Sequence, residues 1–118
     1  VNRDIELERE IIGTAALSIG QARRVDGRIE VNASIGALNA FADRRAWPGD
    51  VIVEGRPVPL LQEAAEELAD ARSYLLWIIQ GSLDAAEAGD DADANERYGR
   101  AMRALAYVLQ AWRALMTA

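Results

Sequence analysis

The chain contains no cysteine, no histidine and no lysine. Without Cys it has no disulfide, no thiol nucleophile, no Fe–S cluster and no thiolate zinc site. Without His it lacks the commonest general base and the commonest metal ligand. Without Lys it has neither a Schiff-base amine nor a Walker A lysine. All 13 basic residues are Arg, set against 19 acids. The resulting net charge of −6 disfavours non-specific binding to nucleic acid or an anionic membrane, which needs a positive surface. The longest apolar run, Tyr74–Ile79, falls far short of the roughly 18 residues of a membrane span. The opening segment, Val1–Glu10, is charged and lacks a signal-peptide profile. Together these features are expected of a cytoplasmic protein. An enzyme of this composition works with carboxylates, Arg, Tyr, Ser and Thr, and with a hard cation that prefers oxygen ligands.

What is present describes an all-α fold. A length of 118 residues with 51% apolar content suits one domain, 1–118, with a single core. The pattern predicts a small bundle of about four helices with one or two short hairpin-like loops. The first helix reads from Asp4 to Arg24, with Ile5, Ile11, Ile12, Ala15, Ile19 and Ala22 on one side. Gly13 and Gly20 weaken it and permit close packing. Asp26-Gly27, between β-branched residues, signals a turn. A second helix spans Ala33 to Arg45 and buries Leu38, Phe41 and Ala42. Ala46 to Pro59 is a loop or a second small hairpin, with Val51-Ile52-Val53 as its strand. The third helix starts at Pro59 and stops at Gly81-Ser82, or runs one or two turns further to Ala88. Its seam reads Leu61, Ala64, Leu68, Ala71, Leu75 and Ile78, and Ala65, Ala69, Leu76 and Ile79 extend the apolar side to about half the circumference. The fourth, Ala92 to Leu115, carries Tyr98, Met102, Leu105, Leu109, Trp112 and Met116. Two such seams joined by a short polar linker pack as an antiparallel pair.

The strongest chemical signal lies at the start of the third helix. At roughly 100° per residue, Glu63, Glu66, Glu67 and Asp70 fall in one sector beside the predicted seam. Neighbouring acids of this kind repel by a few tenths of a kcal/mol per i,i+4 pair, and a divalent cation reverses that sign. Alternatively, they favour a helix N-terminus and face water. On the first helix, Asp4 and Glu8 fall inside the apolar stripe, where a carboxylate is costly unless paired or bound to metal. Arg72 falls on the apolar side of the third helix and needs a carboxylate or phosphate partner. A structural salt bridge from Arg72 to Glu8 or Asp4 satisfies both. Tyr74 and Trp77 continue the acidic sector, either stacking on a nucleobase or capping a helix or subunit interface.

The segment Glu66-Glu67-Leu68-Ala69-Asp70-Ala71-Arg72-Ser73-Tyr74-Leu75-Leu76 resembles the MazG-like all-α nucleoside triphosphate pyrophosphohydrolases. Their pattern is E-x-x-E on one helix, E-x-x-D on the next, then an apolar run often containing Tyr-Leu. Glu67-x-x-Asp70 with Tyr74-Leu75-Leu76 matches the second half. Neither upstream helix carries E-x-x-E, and Glu63-x-x-Glu66 lies on the same helix as the match. The resemblance implies a homodimer or homotetramer that binds a nucleotide and Mg²⁺ (or Mn²⁺); the acidic balance and short apolar runs already lead to the expectation of neither nucleic acid nor membrane as partner. It implies cleavage between the α- and β-phosphates, giving a nucleoside monophosphate and pyrophosphate. Glu67, Asp70, Glu63 and Glu8 are then the metal-ligand candidates, and Glu66 or Glu63 the base. Arg72, or a loop Arg such as Arg45 or Arg56, neutralises phosphate, with Tyr74 and Trp77 beside the substrate.

The competing expectation is a non-enzymatic helical module for oligomerisation or protein interaction. Arg97, Arg100, Arg103 and Arg113 on the fourth helix form a phosphate-binding stripe under the first reading and a solvated, acid-pairing face under the second. Trp112 belongs either to the core or to a dimer interface. The position of Glu8 discriminates: convergence with Glu67 and Asp70 makes a site, and closure onto Arg72 makes structure.

Overall fold

Gly20 decides where the first helix ends. In the computed structural model, which describes residues 5–44, 52–57, 59–89 and 91–117, α1 spans Ile5–Ser18. Gly20 then takes φ 71°. Its N–H donates to Leu17 O at 3.1 Å, and Gln21 N–H donates to Ala16 O at 2.8 Å. These are the paired bonds of a Schellman stop. The expected continuation to Arg24 is therefore replaced by β1 (Ala22–Val25), which pairs antiparallel with β2 (Arg28–Val31). Asp26 and Gly27, with φ of 50° and 78°, form the two-residue turn that matches strand twist. The hairpin folds onto α1 because Gly13 is buried against Ile29. A Cβ on Gly13 would lie 2.9 Å from Ile29 Cγ2.

Helix α2 (Ala33–Arg44) begins behind Asn32. The Asn32 Oδ1 accepts from Ser34 N–H at 2.9 Å and Ser34 Oγ–H at 2.8 Å, an N-cap arrangement. A second hairpin, β3 (Ile52–Val53) with β4 (Arg56–Pro57), turns at Glu54-Gly55, both at positive φ. Asp4, Arg45 and the Trp47–Asp50 turn fall outside the described residues.

Helix α3 spans Pro59–Ala88, the longer of the two expected extents, and runs through Gly81-Ser82. Gly81 faces open space and costs only about 1 kcal/mol in a helix. Ile79 and Ser82 around it are buried, and Leu83 packs on the core. Gly89, at φ 74°, ends the helix by donating to Ala85 O at 3.1 Å. Helix α4 (Ala94–Met116) follows after a short link, so the pair is antiparallel. At its start, Arg97 Nη2 meets Asp91 Oδ2 at 2.5 Å. This hydrogen bond holds the Asp91 carboxyl below its ordinary pKa.

The buried line of α3 differs from the expected seam. Ala65, Ala69, Arg72, Leu76 and Ile79 are buried, whereas Leu61, Ala64, Leu68, Ala71 and Leu75 are half-buried and Ile78 is exposed. Small Ala residues let α3 approach α4 closely, and the larger Leu side chains fill the flanks. The buried face is thus rotated by about a residue, roughly 100°, and Arg72 stands at its centre. The acids, expected beside the core, come to lie opposite it.

Across α4 the core continues through Ala101, Leu105, Leu109 and Trp112, with Ile35, Leu38 and Phe41 from α2 and Ile11, Ile12, Ala15 and Ala16 from α1. Trp112 is fully buried. Its ring lies 5.6 Å from that of Phe41, and its indole N–H donates to the Ser34 carbonyl. It is a core residue. Among the described residues the result is an all-α bundle of four helices with two small hairpins. None of those helices is long and apolar enough to cross a membrane.

The two helical glycines make opposite predictions. Gly13→Ala must displace Ile29, so overpacking of about 1–3 kcal/mol outweighs the helix-propensity gain of about 1 kcal/mol. Gly81→Ala enters open space and should stabilise by about 0.5–1 kcal/mol. Urea denaturation midpoints measure both.

Candidate functional site

The charged residues expected to act together occupy two separate places. The first is a buried polar junction of α1, α2 and α3. Arg72 is 2% exposed and Glu8 6%. Arg72 Nε donates to Asn39 Oδ1 at 2.8 Å, and Arg72 Nη2 lies 4.0 Å from Glu8 Oε2. The second distance is an ion pair too long for a hydrogen bond. An adjoining cavity of about 280 Å³ is lined by Glu8, Ile12, Asn39, Asp43 and Arg72, among others. One guanidinium therefore ties three helices together. Its partner among the candidates named from sequence is Glu8; Asp4 lies outside the described residues.

The second place is the outward side of α3. Because the buried face centres on Arg72, Glu63 and Glu67 lie on the exposed side of α3, with Glu66 and Asp70 half-buried beside them. Among the described residues, no three acids gather in a way that could hold a metal ion. Glu8 is thus not brought together with Glu63, Glu67 and Asp70 as one ligand set.

Tyr74 and Trp77 continue the acidic side of α3. They are 61% and 51% exposed. Their rings meet edge to face, centroids 5.7 Å apart at 83°, a favoured aromatic geometry. Ile78, exposed at 46%, extends the patch. Of the other cations considered, Arg56 is exposed on the β3–β4 hairpin. Arg97 is held by Asp91, and Arg100 faces Glu96 at 3.9 Å. Arg103 makes no ion pair among the described residues.

Sequence reasoning missed Asn39 and Tyr107. Asn39 follows Leu38 and stands one turn after Ile35, both fully buried. A lone amide at the edge of that apolar stripe was the available signal. Tyr107 is 69% exposed, on the side of α4 that also carries Arg100 and Arg103. Reading those Arg residues without the aromatic concealed the patch.

Comparison of the chain with protein-family models, with curated proteins and with solved structures finds no match.

The junction predicts a specific pattern of stability. Arg72→Met removes the buried guanidinium that faces Glu8 and bonds Asn39, and should cost about 3–5 kcal/mol. Adding Glu8→Leu to Arg72→Met replaces the other half of the buried pair by an apolar side chain and should recover most of that loss, as read from urea titrations.

Proposed function

We propose that this protein is a helical interaction module that presents the outward face of α3 to a protein partner. The observation behind this reading is the Tyr74, Trp77 and Ile78 patch, at least 46% exposed at each residue and continuous along α3 with Glu63, Glu67 and Asp70. Large aromatics on a rigid helix lose little entropy on docking and are favoured at interfaces. The acids at one end of the patch supply a polar, charge-selective margin.

The pyrophosphohydrolase reading requires a cation held by carboxylates. Among the described residues this reading has less support than the exposed aromatic patch has for the other. Glu8 is committed to Arg72, and no three acids converge. The acids of α3 are better suited to meeting the cations of a partner surface.

Two measurements separate the readings. The melting temperature should be the same in chelator, in Mg²⁺ and in Mg²⁺ with each common nucleoside triphosphate. A photo-crosslinking amino acid at Trp77 should give a discrete protein adduct in cells, weakened by Tyr74→Ala. Pyrophosphate release that disappears in Glu67→Ala/Asp70→Ala would overturn the proposal in favour of catalysis.

A further inference from the structure

We infer that the partner of the α3 face is a basic amphipathic helix of another protein, with an apolar centre over Tyr74 and Trp77 and a cation about two turns to each side. This rests on the interaction-module reading and names its partner. At roughly 100° per residue, Glu63, Glu67, Tyr74, Trp77, Gly81 and Asp84 fall within about 60° of the line opposite Arg72. All six are exposed. Glu67 stands seven residues before Tyr74, and Asp84 seven residues after Trp77. An acid therefore lies about 10 Å beyond the rings at each end. From Glu67 to Asp84 the strip is about 25 Å long and one helix wide, the footprint of a helix laid alongside.

Among the described residues no cation of this chain answers those two acids. Between Pro59 and Ala88 the sole basic residue is Arg72, and it is buried. Neither Glu67 nor Asp84 has an ion pair, so neither must leave one to dock. Exposed rings also suit membrane interfaces and stacked bases. Acids on both flanks repel anionic lipid and phosphate alike. A helix with Arg or Lys at the matching places meets the acids with opposite charge, which steers the encounter and fixes the register. Its apolar centre covers the rings, where the binding energy is concentrated.

The same order of charges disfavours a second copy of this chain. A two-fold contact centred on the rings sets acid on acid in either direction. Run parallel, Glu67 meets Glu67; run antiparallel, Glu67 meets Asp84. The exposed Arg residues of α4 reach this face only in a head-to-tail contact, which closes as a ring or grows as a filament. Arg100 there already faces Glu96 at 3.9 Å.

The test uses a fluorescein-labelled helical peptide of about 24 residues, titrated with the whole chain by fluorescence anisotropy. Ala and Leu occupy its centre, and an Arg pair stands toward each end. The peptide should bind, and Trp77→Ala should weaken binding about tenfold or more. A peptide of the same composition with its Arg residues in the centre should bind about tenfold less tightly, which separates a matched face from the general pull of an acidic protein. Glu67→Arg/Asp84→Arg, with its fold checked by far-UV circular dichroism, should lose the Arg peptide and gain its Glu counterpart. Equal binding of the two Arg peptides, binding of neither, or a charge reversal without effect each overturns the inference. So does a wild-type dimer in sedimentation equilibrium that Trp77→Ala abolishes. If the peptide fails while the residue-77 crosslinker still gives a discrete protein adduct weakened by Tyr74→Ala, the basic-helix partner is wrong and the interaction module stands. Pyrophosphate release that disappears in Glu67→Ala/Asp70→Ala sinks the module itself.

Discussion

The buried guanidinium of Arg72 is the constraint from which the rest of the arrangement follows. A charge at 2% exposure is tolerated only with partners supplied by its surroundings. Glu8 comes from α1 and Asn39 from α2, so both helices must lie against the Arg72 side of α3. With that side committed inward, the opposite side of the same helix faces outward. The acids and the aromatic pair share that outer side. One residue on the inner face thus decides what the outer face can meet.

This division changes the meaning of the net charge of −6. Dispersed, such a charge does little beyond solubility. Here part of it is concentrated on one face of a helix about 45 Å long, next to exposed rings. Arg100 and Arg103 on α4 form a counterpart of opposite sign with Tyr107 in the same relative place. The bundle therefore presents two outward faces of opposite local charge. Neither contributes to the core, which is built from Trp112, Phe41 and the aliphatic residues around them.

Much of the fold was legible because its signals are local. The four helices, the Asp26-Gly27 turn and the pairing of the long helices follow from periodicity and turn chemistry. The failures are tertiary. In sequence Gly20 is only a weak helix residue, yet its role depends on a positive φ that only the following chain reversal requires. At Gly81-Ser82 the sequence leaves a stop and a continuation to Ala88 both open, and packing around Ile79 and Leu83 selects the continuation. On α3 the Leu residues drew the seam toward themselves, whereas close approach to α4 selected Ala65 and Ala69 for the interior. That rotation also moved the candidate site. Arg72 and Glu8 were visible as charges on apolar stripes and are found together. Asn39 carried little signal because its hydrogen bond spans 33 positions of sequence.

The central claim is that Glu8 and the acids of α3 occupy different places, one held by Arg72 and the others facing outward. Paramagnetic broadening of amide NMR signals by Mn²⁺ tests it most directly. The expected result is weak, non-saturating broadening along Glu63–Asp70, with the amides around Glu8 unaffected. Selective, saturable broadening of Glu8 together with Glu67 and Asp70 at one low Mn²⁺ concentration would contradict it, because it would place all three on a single ion.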